Sequence, residues 1–315
     1  MEPNKFIKHV ASLFEKIKSV NISLNGSNNT LELFIFPIED NKFNTEKIIA
    51  NLQETIIAHL LDRKDYIDFF KHDEKARQRF FTINKDKYKT PDRNSGELGE
   101  LLLFILLEGH LDAVKLVSKM KLKTDKEQYI NGADAIHLKR IGNKKYQLIF
   151  GESKTNKDPL GKGLPEAIDS ISSFLYGKNK FNGTDKFKVK EADINFERGI
   201  ISSHIDTYLF EDGDEKEVLK MLKEWVYFGD FKSDILIDDA FAIFLGYECE
   251  SNYIFNQNNE SLWELIKNDI LDTFGKIENK IKEKIISNSL DNYTFYVFVM
   301  PFPTDKKTFW EQVVG

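Results

Sequence analysis

The chain has 315 residues, of which 41% are hydrophobic, and its formal net charge at pH 7 is −6. The apolar fraction excludes a mainly disordered chain, and the length allows one large core or two smaller ones. The acidic balance argues against a protein that coats nucleic acid through a broad basic surface, because phosphate contacts need clustered Lys and Arg.

Two further features bear on location. The sequence has no charged-then-apolar leader and no apolar run of about 18 residues, so we expect neither secretion nor membrane insertion. The single cysteine, Cys249, cannot form an internal disulfide and lies in a predicted strand. A reducing, cytoplasmic location therefore fits the sequence best.

The first 92 residues are predicted to be a mixed α/β region that packs on the rest of the chain. An apolar strand covers residues 31–37, and a helix follows with Asn44 as its N-cap. The apolar positions of this helix are Ile48, Ile49, Leu52, Ile56, Ile57 and Leu60. The charged stretch 63–93 has Ala76, Phe80 and Phe81 at helical spacing, which predicts a second helix and then a loop.

Residues 95–108 predict a buried helix that carries two glutamates on one face. Glu97 lies near the helix N-terminus, where the helix dipole favours an acid. Glu100 is expected to lie deeper in the apolar run, where a carboxylate is costly unless it meets a cation. We therefore choose Glu100 as the candidate site acid and assign Glu97 to the helix terminus.

Three charged residues flank the apolar strand 146–150. Asp134 precedes it, and Glu152 and Lys154 follow it. Alternate residues of a strand project to the same face, so Glu152 and Lys154 should point into one site, with Asp134 arriving from the neighbouring strand. The backbone carbonyl of Ser153 should face the same position, whereas the Ser153 side chain should point away.

This combination of residues suits phosphodiester hydrolysis. Carboxylates such as Asp134 and Glu152 can hold a divalent cation that polarises a phosphate and activates water, with Glu100 and the Ser153 carbonyl as further oxygen ligands. We expect Mg²⁺, with Mn²⁺ as the alternative. Lys154 would orient the water and stabilise negative charge in the transition state. The competing interpretation is that these residues are solvated surface charges.

Later elements follow the hydrophobic pattern. Residues 156–159 should end the strand, 164–176 should form the next helix, and 197–227 should also be helical. Strands are predicted at 239–248 and 292–301, with a helix over 262–285 between them. The segment 108–116 mimics an ankyrin motif but has no second copy, so we interpret it as a helix end and a following strand.

Basic residues occur near the predicted site, and their role stays open between nucleic-acid contact and ordinary surface charge. They are Lys139, Arg140, Lys144, Lys145, Lys157 and Lys162. Residues 141–145 also have the composition of a turn between two strands. The six histidines show no zinc-ligand spacing, and Gly161–Gly163 lacks the pattern of a phosphate-binding loop.

The order of helix glutamate, strand aspartate, strand Glu-x-Lys and following helix resembles the PD-(D/E)xK, or restriction-endonuclease-like, superfamily. Residues 96–103, 132–137, 150–154 and 295–302 together resemble the HamA family, the nuclease subunits of the Hachiman anti-phage system. The resemblance spans about residues 20 to 310. It implies a Mg²⁺-dependent deoxyribonuclease that works on DNA with a superfamily 2 helicase, HamB.

The resemblance also implies the architecture. We expect an α/β fold with a restriction-endonuclease-like mixed sheet flanked by helices, and α/β additions at both ends. The predicted division is an N-terminal region 1–92 and a nuclease core 93–315 that includes a helical insertion and a C-terminal strand. The alternative function is a noncatalytic module that binds nucleic acid or docks a helicase. The helical segments 44–81 and 197–227 are the expected docking surfaces, unless their apolar faces simply pack in the core.

Overall fold

The computed structural model describes residues 4–24, 27–39, 42–72, 74–75, 78, 96–118, 132–177, 193–210, 213–228, 234–248, 262–302 and 306–314. Its strands in chain order are β1 (Glu15–Leu24), β2 (Ser27–Ile35), β3 (Ile38–Glu39), β4 (Lys42–Phe43), β5 (Val114–Lys115), β6 (Ala135–Gly142), β7 (Lys145–Thr155), β8 (Leu236–Glu248) and β9 (Thr294–Phe302).

Seven of these strands form one mixed sheet in the order β1–β2–β9–β8–β7–β6–β5. The strands β2, β9, β8 and β7 run parallel to one another. The strands toward the two edges of the sheet are antiparallel: β1 pairs with β2 at one edge, and β6 pairs with β7 and β5 with β6 at the other. The two remaining strands, β3 and β4, pair separately as a short ribbon. The strands near the N-terminus therefore belong to the same sheet as the predicted core.

Helices cover both faces of the sheet. They are α1 (Lys5–Ser12), α2 (Thr45–Leu60), α3 (Arg63–Phe69), α4 (Glu97–Ile105), α5 (Leu164–Tyr176), α6 (Asp193–His204), α7 (Gly213–Phe228), α8 (Leu262–Ser287) and α9 (Lys306–Val314). The α4 helix continues into a π-helical turn at Leu106–His110. In the described part of the chain, no helix is long and apolar enough to span a bilayer.

The sheet separates two apolar cores. Buried residues of α1, α2, α4 and α9 pack on one face, and those of α5, α6, α7 and α8 pack on the other. The strand β8 shows why both faces need cover: Phe241 and Ile243 point into one core, whereas Ala242 and Phe244 point into the other. The sequence of a parallel strand that is buried on both faces is a continuous apolar run, without the alternation of polar and apolar residues seen in half-exposed strands.

The predicted fold class is confirmed, because the structure is α/β with a mixed sheet flanked by helices. The helix after Asn44 is confirmed as well, and the Asn44 side chain accepts a hydrogen bond from the backbone N–H of Lys47. The predicted helix 164–176 matches α5, and the predicted strands correspond to β2, β7, β8 and β9. The domain division stays a prediction.

Other predictions need correction or fall outside the described residues. The predicted helical segment 197–227 is two helices, α6 and α7, with a 3₁₀ turn at Thr207–Leu209 between them. Buried apolar residues of α2, α6 and α7 pack in the two cores. Core packing therefore explains these apolar residues, and no docked partner is needed to explain them. Ala76, Phe80, Phe81 and Cys249 lie outside the described residues.

A buried ionic group connects the elements around the π-helical turn. Lys115 on β5 is half-buried, and its Nζ donates to the carbonyl oxygens of Ala58, His59 and Leu61 at 2.7, 2.9 and 2.8 Å. These carbonyls lie at the end of α2, where a helix leaves acceptors without intrahelical donors. The buried carboxylate of Glu108 accepts from the backbone N–H of Asn4 at 2.8 Å. Burial lowers the pKa of Lys115 to about 8 against the opposing charge of Glu108.

A polar side chain also connects two neighbouring strands that come from opposite ends of the chain, β2 and β9. Leu31 on β2 stands opposite Val297 on β9 in parallel register. Beside this pairing, the buried side chain of Asn29 accepts a hydrogen bond from the backbone N–H of Phe295 at 2.7 Å. The two residues are 266 positions apart in the chain. The N-terminal hairpin is therefore attached to the sheet through its C-terminal strand.

Candidate functional site

The candidate site lies at the carboxyl end of β7, where successive side chains point to opposite faces of the sheet. Gly151 and Ser153 face α4, since a Cβ added at Gly151 would meet Leu103 and one added at Gly99 would meet Ser153. Glu152 faces α5, where the side chain of Ser170 hydrogen-bonds to it. Lys154, two residues on, shares the Glu152 face. The predicted pairing of Glu152 with Lys154 is therefore present.

Small residues allow α4 to approach this end of β7 closely. A Cβ added to Gly99 would lie 3.0 Å from the Thr155 side chain and 3.1 Å from Ser153 Oγ. A Cβ added to Gly151 would lie 2.8 Å from Leu103 and 2.9 Å from Ala135. Larger residues at either glycine would move the helix away. The two glycines thus bring the first turn of α4 over the site.

Asp134 stands just before β6, next to the end of β7. Its backbone N–H donates to the carbonyl of Gly151 at 2.7 Å, which continues the β6–β7 ladder by one residue. Its Oδ2 accepts from the backbone N–H of Ser153 at 2.7 Å and from Ser153 Oγ at 3.1 Å. Among the described residues, Oδ1 is then the oxygen that remains for a cation. The structure places Asp134 beside Glu152, as predicted.

The side chain of Ser153 differs from the prediction. It lies on the opposite face of β7 from Glu152, but its hydroxyl contacts Asp134 instead of pointing away from the acids. The N–H and C=O of one strand residue point to the same edge of the strand. Because the Ser153 N–H points toward Asp134, its carbonyl points to that edge too, which agrees with the predicted oxygen ligand.

Glu152 and Lys154 form a close ion pair, with 2.6 Å between Glu152 Oε1 and Lys154 Nζ. The two side chains are 13% and 25% exposed. Burial and the nearby Asp134 carboxylate raise the pKa of Glu152 to about 7, despite the lysine. Although burial alone would lower it, the pKa of Lys154 is raised because Glu152 and Asp134 favour its charged form. Lys154 is therefore protonated at neutral pH.

The donors present fit a magnesium ion. Burial, and then repulsion from the Asp134 carboxylate, raise the pKa of Glu152, and a divalent cation between the two carboxylates would offset both effects. Within the described residues, no three or more Asp, Glu, His or Cys side chains are grouped as a metal cage. Mg²⁺ does not need one, because it usually keeps several waters and binds one or two protein carboxylates.

The relative burial of the two helix glutamates is the reverse of the prediction. Glu97 is buried, at 3% exposure, whereas Glu100 is half-buried. The ground on which Glu100 was chosen is therefore wrong. The structure does not group Glu100 with Asp134 and Glu152, but of the two helix glutamates it lies closer to the side of α4 that faces β7. Gly99 and Leu103 contact β7, and each residue turns the helix by about 100°. Glu97 thus lies on the far side of α4, and Glu100 lies nearer the side that faces β7.

Glutamine substitutions should separate the two roles. Glu100→Gln is expected to raise the Mg²⁺ concentration needed for half-maximal DNA cleavage by about tenfold, because an amide binds Mg²⁺ less well than a carboxylate. Glu97→Gln is expected to lower the free energy of unfolding by about 1–2 kcal/mol with the Mg²⁺ requirement unchanged. Cleavage over a Mg²⁺ titration and urea unfolding are the measurements. The reverse pattern would assign the ligand to Glu97.

Most of the predicted basic residues are not near the site. Lys144 and Lys145 lie at the β6–β7 turn, and Lys139 and Arg140 lie close to it on β6. Lys145 and Lys154 are nine positions apart along β7, a distance of roughly 30 Å. Lys157 and Lys162 do lie at the same end as Lys154, and Lys157 pairs with Glu248 at 3.3 Å. Of the six residues, these two are therefore the ones that lie at the site end of β7.

Two contacts in the site were not predicted. Ser170 on α5 hydrogen-bonds to Glu152, and Asn156 donates to Glu166 of α5 at 3.2 Å. The apolar spacing of α5 was visible in the sequence, but the polar residues between its apolar positions looked like a solvent face. His137, the histidine nearest the predicted site, is a buried core residue beside Phe104.

Comparison with known proteins gives one family. A family model described as HamA matches residues 11–313 of the 315. Neither the curated proteins nor the solved structures give a match. The matched segment includes every residue of the candidate site.

Proposed function

Because this chain belongs to the HamA family of Hachiman antiviral defence proteins, we propose that it is a metal-dependent DNA nuclease that acts with a superfamily 2 helicase. The observation that carries the proposal is the meeting of Asp134, Glu152 and Lys154 at the end of β7. Burial and the nearby Asp134 carboxylate raise the pKa of Glu152, and a protonated lysine stands beside them.

The residues divide the chemistry between them. Asp134 and Glu152 would hold Mg²⁺, with the Ser153 carbonyl and Glu100 as further oxygen ligands. The bound ion would polarise the phosphate and lower the pKa of a water molecule. Ser153 holds Asp134 in place through its N–H and hydroxyl. Lys154 keeps its proton and would place a positive charge where the phosphate gains negative charge.

The helicase partner would supply the grip on DNA that this chain lacks. The net charge is −6, and only two of the six basic residues singled out in the sequence, Lys157 and Lys162, lie at the site end of β7. Phosphate affinity grows with the number of Lys and Arg contacts, so the isolated chain should bind DNA weakly. The helicase, HamB in this family, would bring the strand to the site.

The proposal is tested by incubating the purified chain with the helicase, ATP, DNA and Mg²⁺ or Mn²⁺. We expect cleavage products with the wild-type chain and none in excess EDTA. DNA binding without cleavage under every metal condition would favour the noncatalytic module instead.

The isolated chain is expected to be a restrained nuclease. Its cleavage rate should be at least about tenfold lower than that of the complex with helicase and ATP, because weak electrostatic capture limits encounter with DNA. Initial rates on the same plasmid at fixed salt provide the measurement. Equally fast degradation by the isolated chain would contradict restraint and leave the nuclease assignment intact.

A further inference from the structure

The loop that carries Asp134 is held by a buried residue from a distant helix. Glu197 on α6 is 0% exposed, and its Oε1 accepts a hydrogen bond from the backbone N–H of Ala133 at 3.1 Å. Gly132, just before Ala133, has a φ of +120°. A Cβ at Gly132 would overlap the carboxylate of Glu197, so the glycine makes this approach possible.

We infer that Glu197 is a positioning residue for the metal site, an inference that rests on the proposed function. The Gly132–Asp134 segment is fixed at two successive backbone groups. Glu197 binds the N–H of Ala133, and the Gly151 carbonyl binds the N–H of Asp134. Since the second bond alone leaves Gly132 and Ala133 free to turn, Glu197 determines the direction from which Asp134 enters the site.

The surroundings of Glu197 make its position firm. The adjacent Arg198 pairs with Asp239 of β8 at 2.8 Å, with side chains 24% and 14% exposed. Ile194 and Ile201 of the same helix are buried in the core beneath α5 and α7. The helix is thus attached to the sheet on both sides of Glu197.

A positioning role for Glu197 can be distinguished by experiment from simple filling of space in the core. A residue that only fills space could be replaced by leucine with a loss of stability and no change in the site. A positioning residue should instead change the affinity for the metal, because residues behind a metal ligand affect affinity by about 10–100-fold. A glutamine, which keeps an oxygen acceptor at the same place, should rescue the function.

The test measures Mn²⁺ binding by electron paramagnetic resonance on the full chain without DNA, together with amide hydrogen exchange of the peptide that contains Ala133. Glu197→Leu is expected to weaken Mn²⁺ binding by at least about tenfold and to speed exchange at Ala133. Glu197→Gln should stay within about threefold of the wild type. Glu32→Gln, at another buried glutamate that lies on β2 and contacts neither Ala133 nor α6 in the contacts described, should alter neither value.

The outcomes that would overturn the inference show whether the proposed function fails with it. Unchanged Mn²⁺ binding in Glu197→Leu, with the wild type binding Mn²⁺ and cutting DNA, would overturn it while the nuclease assignment stands. A wild-type chain that neither binds Mn²⁺ nor cuts DNA would overturn the proposed function and this inference together. Should Glu197→Leu fail to fold, Gly132→Ala disturbs the same contact from the loop side, and unchanged Mn²⁺ binding in that variant would count equally against the inference.

Discussion

Alanine at Asp134, Glu152 or Lys154 is expected to reduce DNA cleavage by the helicase complex by at least about 10³-fold. Each substitution removes either a carboxylate of the metal site or the positive charge beside the phosphate. The three residues act on one transition state, so a double variant should be little slower than a single one. The measurement is the initial rate of plasmid cleavage at saturating Mg²⁺.

The loss should be chemical and not structural. Removal of either carboxylate loses a contact with Ser153 or Lys154 but also relieves the repulsion between Asp134 and Glu152, so the thermal midpoint should change by only a few degrees. Lys276→Ala is a suitable control, because Lys276 is 61% exposed on α8 and pairs only with a neighbour on the same helix, Asp272, in the contacts described. A site variant that cuts at the wild-type rate would remove that residue from the mechanism.

Lys115→Met is expected to lower the free energy of unfolding by about 3–5 kcal/mol, because three carbonyl acceptors lose their charged donor at a cost of roughly 1–3 kcal/mol each. Methionine has a similar length but no donor, so the carbonyls of Ala58, His59 and Leu61 lose their shared ammonium. Glu108 would stay buried, with Arg63 at 3.4 Å as its remaining cation among the described residues. Because domains unfold at about 5–15 kcal/mol, this is a large fraction of the total.

The pH dependence supplies a second test of the Lys115 prediction. The folded pKa of about 8 lies below the ordinary value of 10.5, so the unfolded chain binds more protons between these values. The wild type should therefore gain stability as pH rises from 8 to 10, by at most about 1.4 kcal/mol per pH unit. Lys115→Met should lack this gain. Urea unfolding at both pH values measures it.

Lys8→Met provides the matched control for Lys115. Lys8 pairs with Asp112 at 2.5 Å, but the two side chains are 44% and 60% exposed. An exposed pair contributes about 0–1 kcal/mol, so this variant should unfold almost like the wild type. Equal stabilities for the two methionine variants would show that the buried ammonium does not hold the end of α2.

The spacing of apolar residues predicted helices and strands correctly where the element buries a regular row of apolar side chains. The helix after Asn44, the helix α5 and the strand before Glu152 were all predicted from apolar spacing and confirmed. The order of the candidate site acids was visible for the same reason, since Asp134 and the Glu-x-Lys pair are local to two neighbouring strands. The strand β1 was missed, because a register shift between Lys16 and Lys18 breaks its alternation.

Burial of single charges was not predictable. Glu97, Glu108 and Glu197 are all buried, yet their sequence neighbourhoods look like a helix terminus, an ankyrin-like turn and a polar helix. Glu108 and Glu197 are buried through contacts with residues far away in the chain, Asn4 for Glu108 and Ala133 for Glu197. Glu100 was chosen on an expected burial that the structure reverses. Whether such a glutamate is buried depends on packing between distant parts of the chain, which the local sequence pattern does not show.

The pairing of β2 with β9 affects how the chain folds as it is made. During synthesis the hairpin β1–β2 emerges first, but its parallel neighbour follows only after about 260 further residues, so its docking must wait. Contacts of such long sequence separation form slowly, and an unpaired strand edge is prone to aggregation meanwhile. The centre of the sheet is completed only when β9 enters between β2 and β8. A partly synthesised chain therefore has an open sheet edge, and assembly of the finished protein is a late event after translation of its last strand.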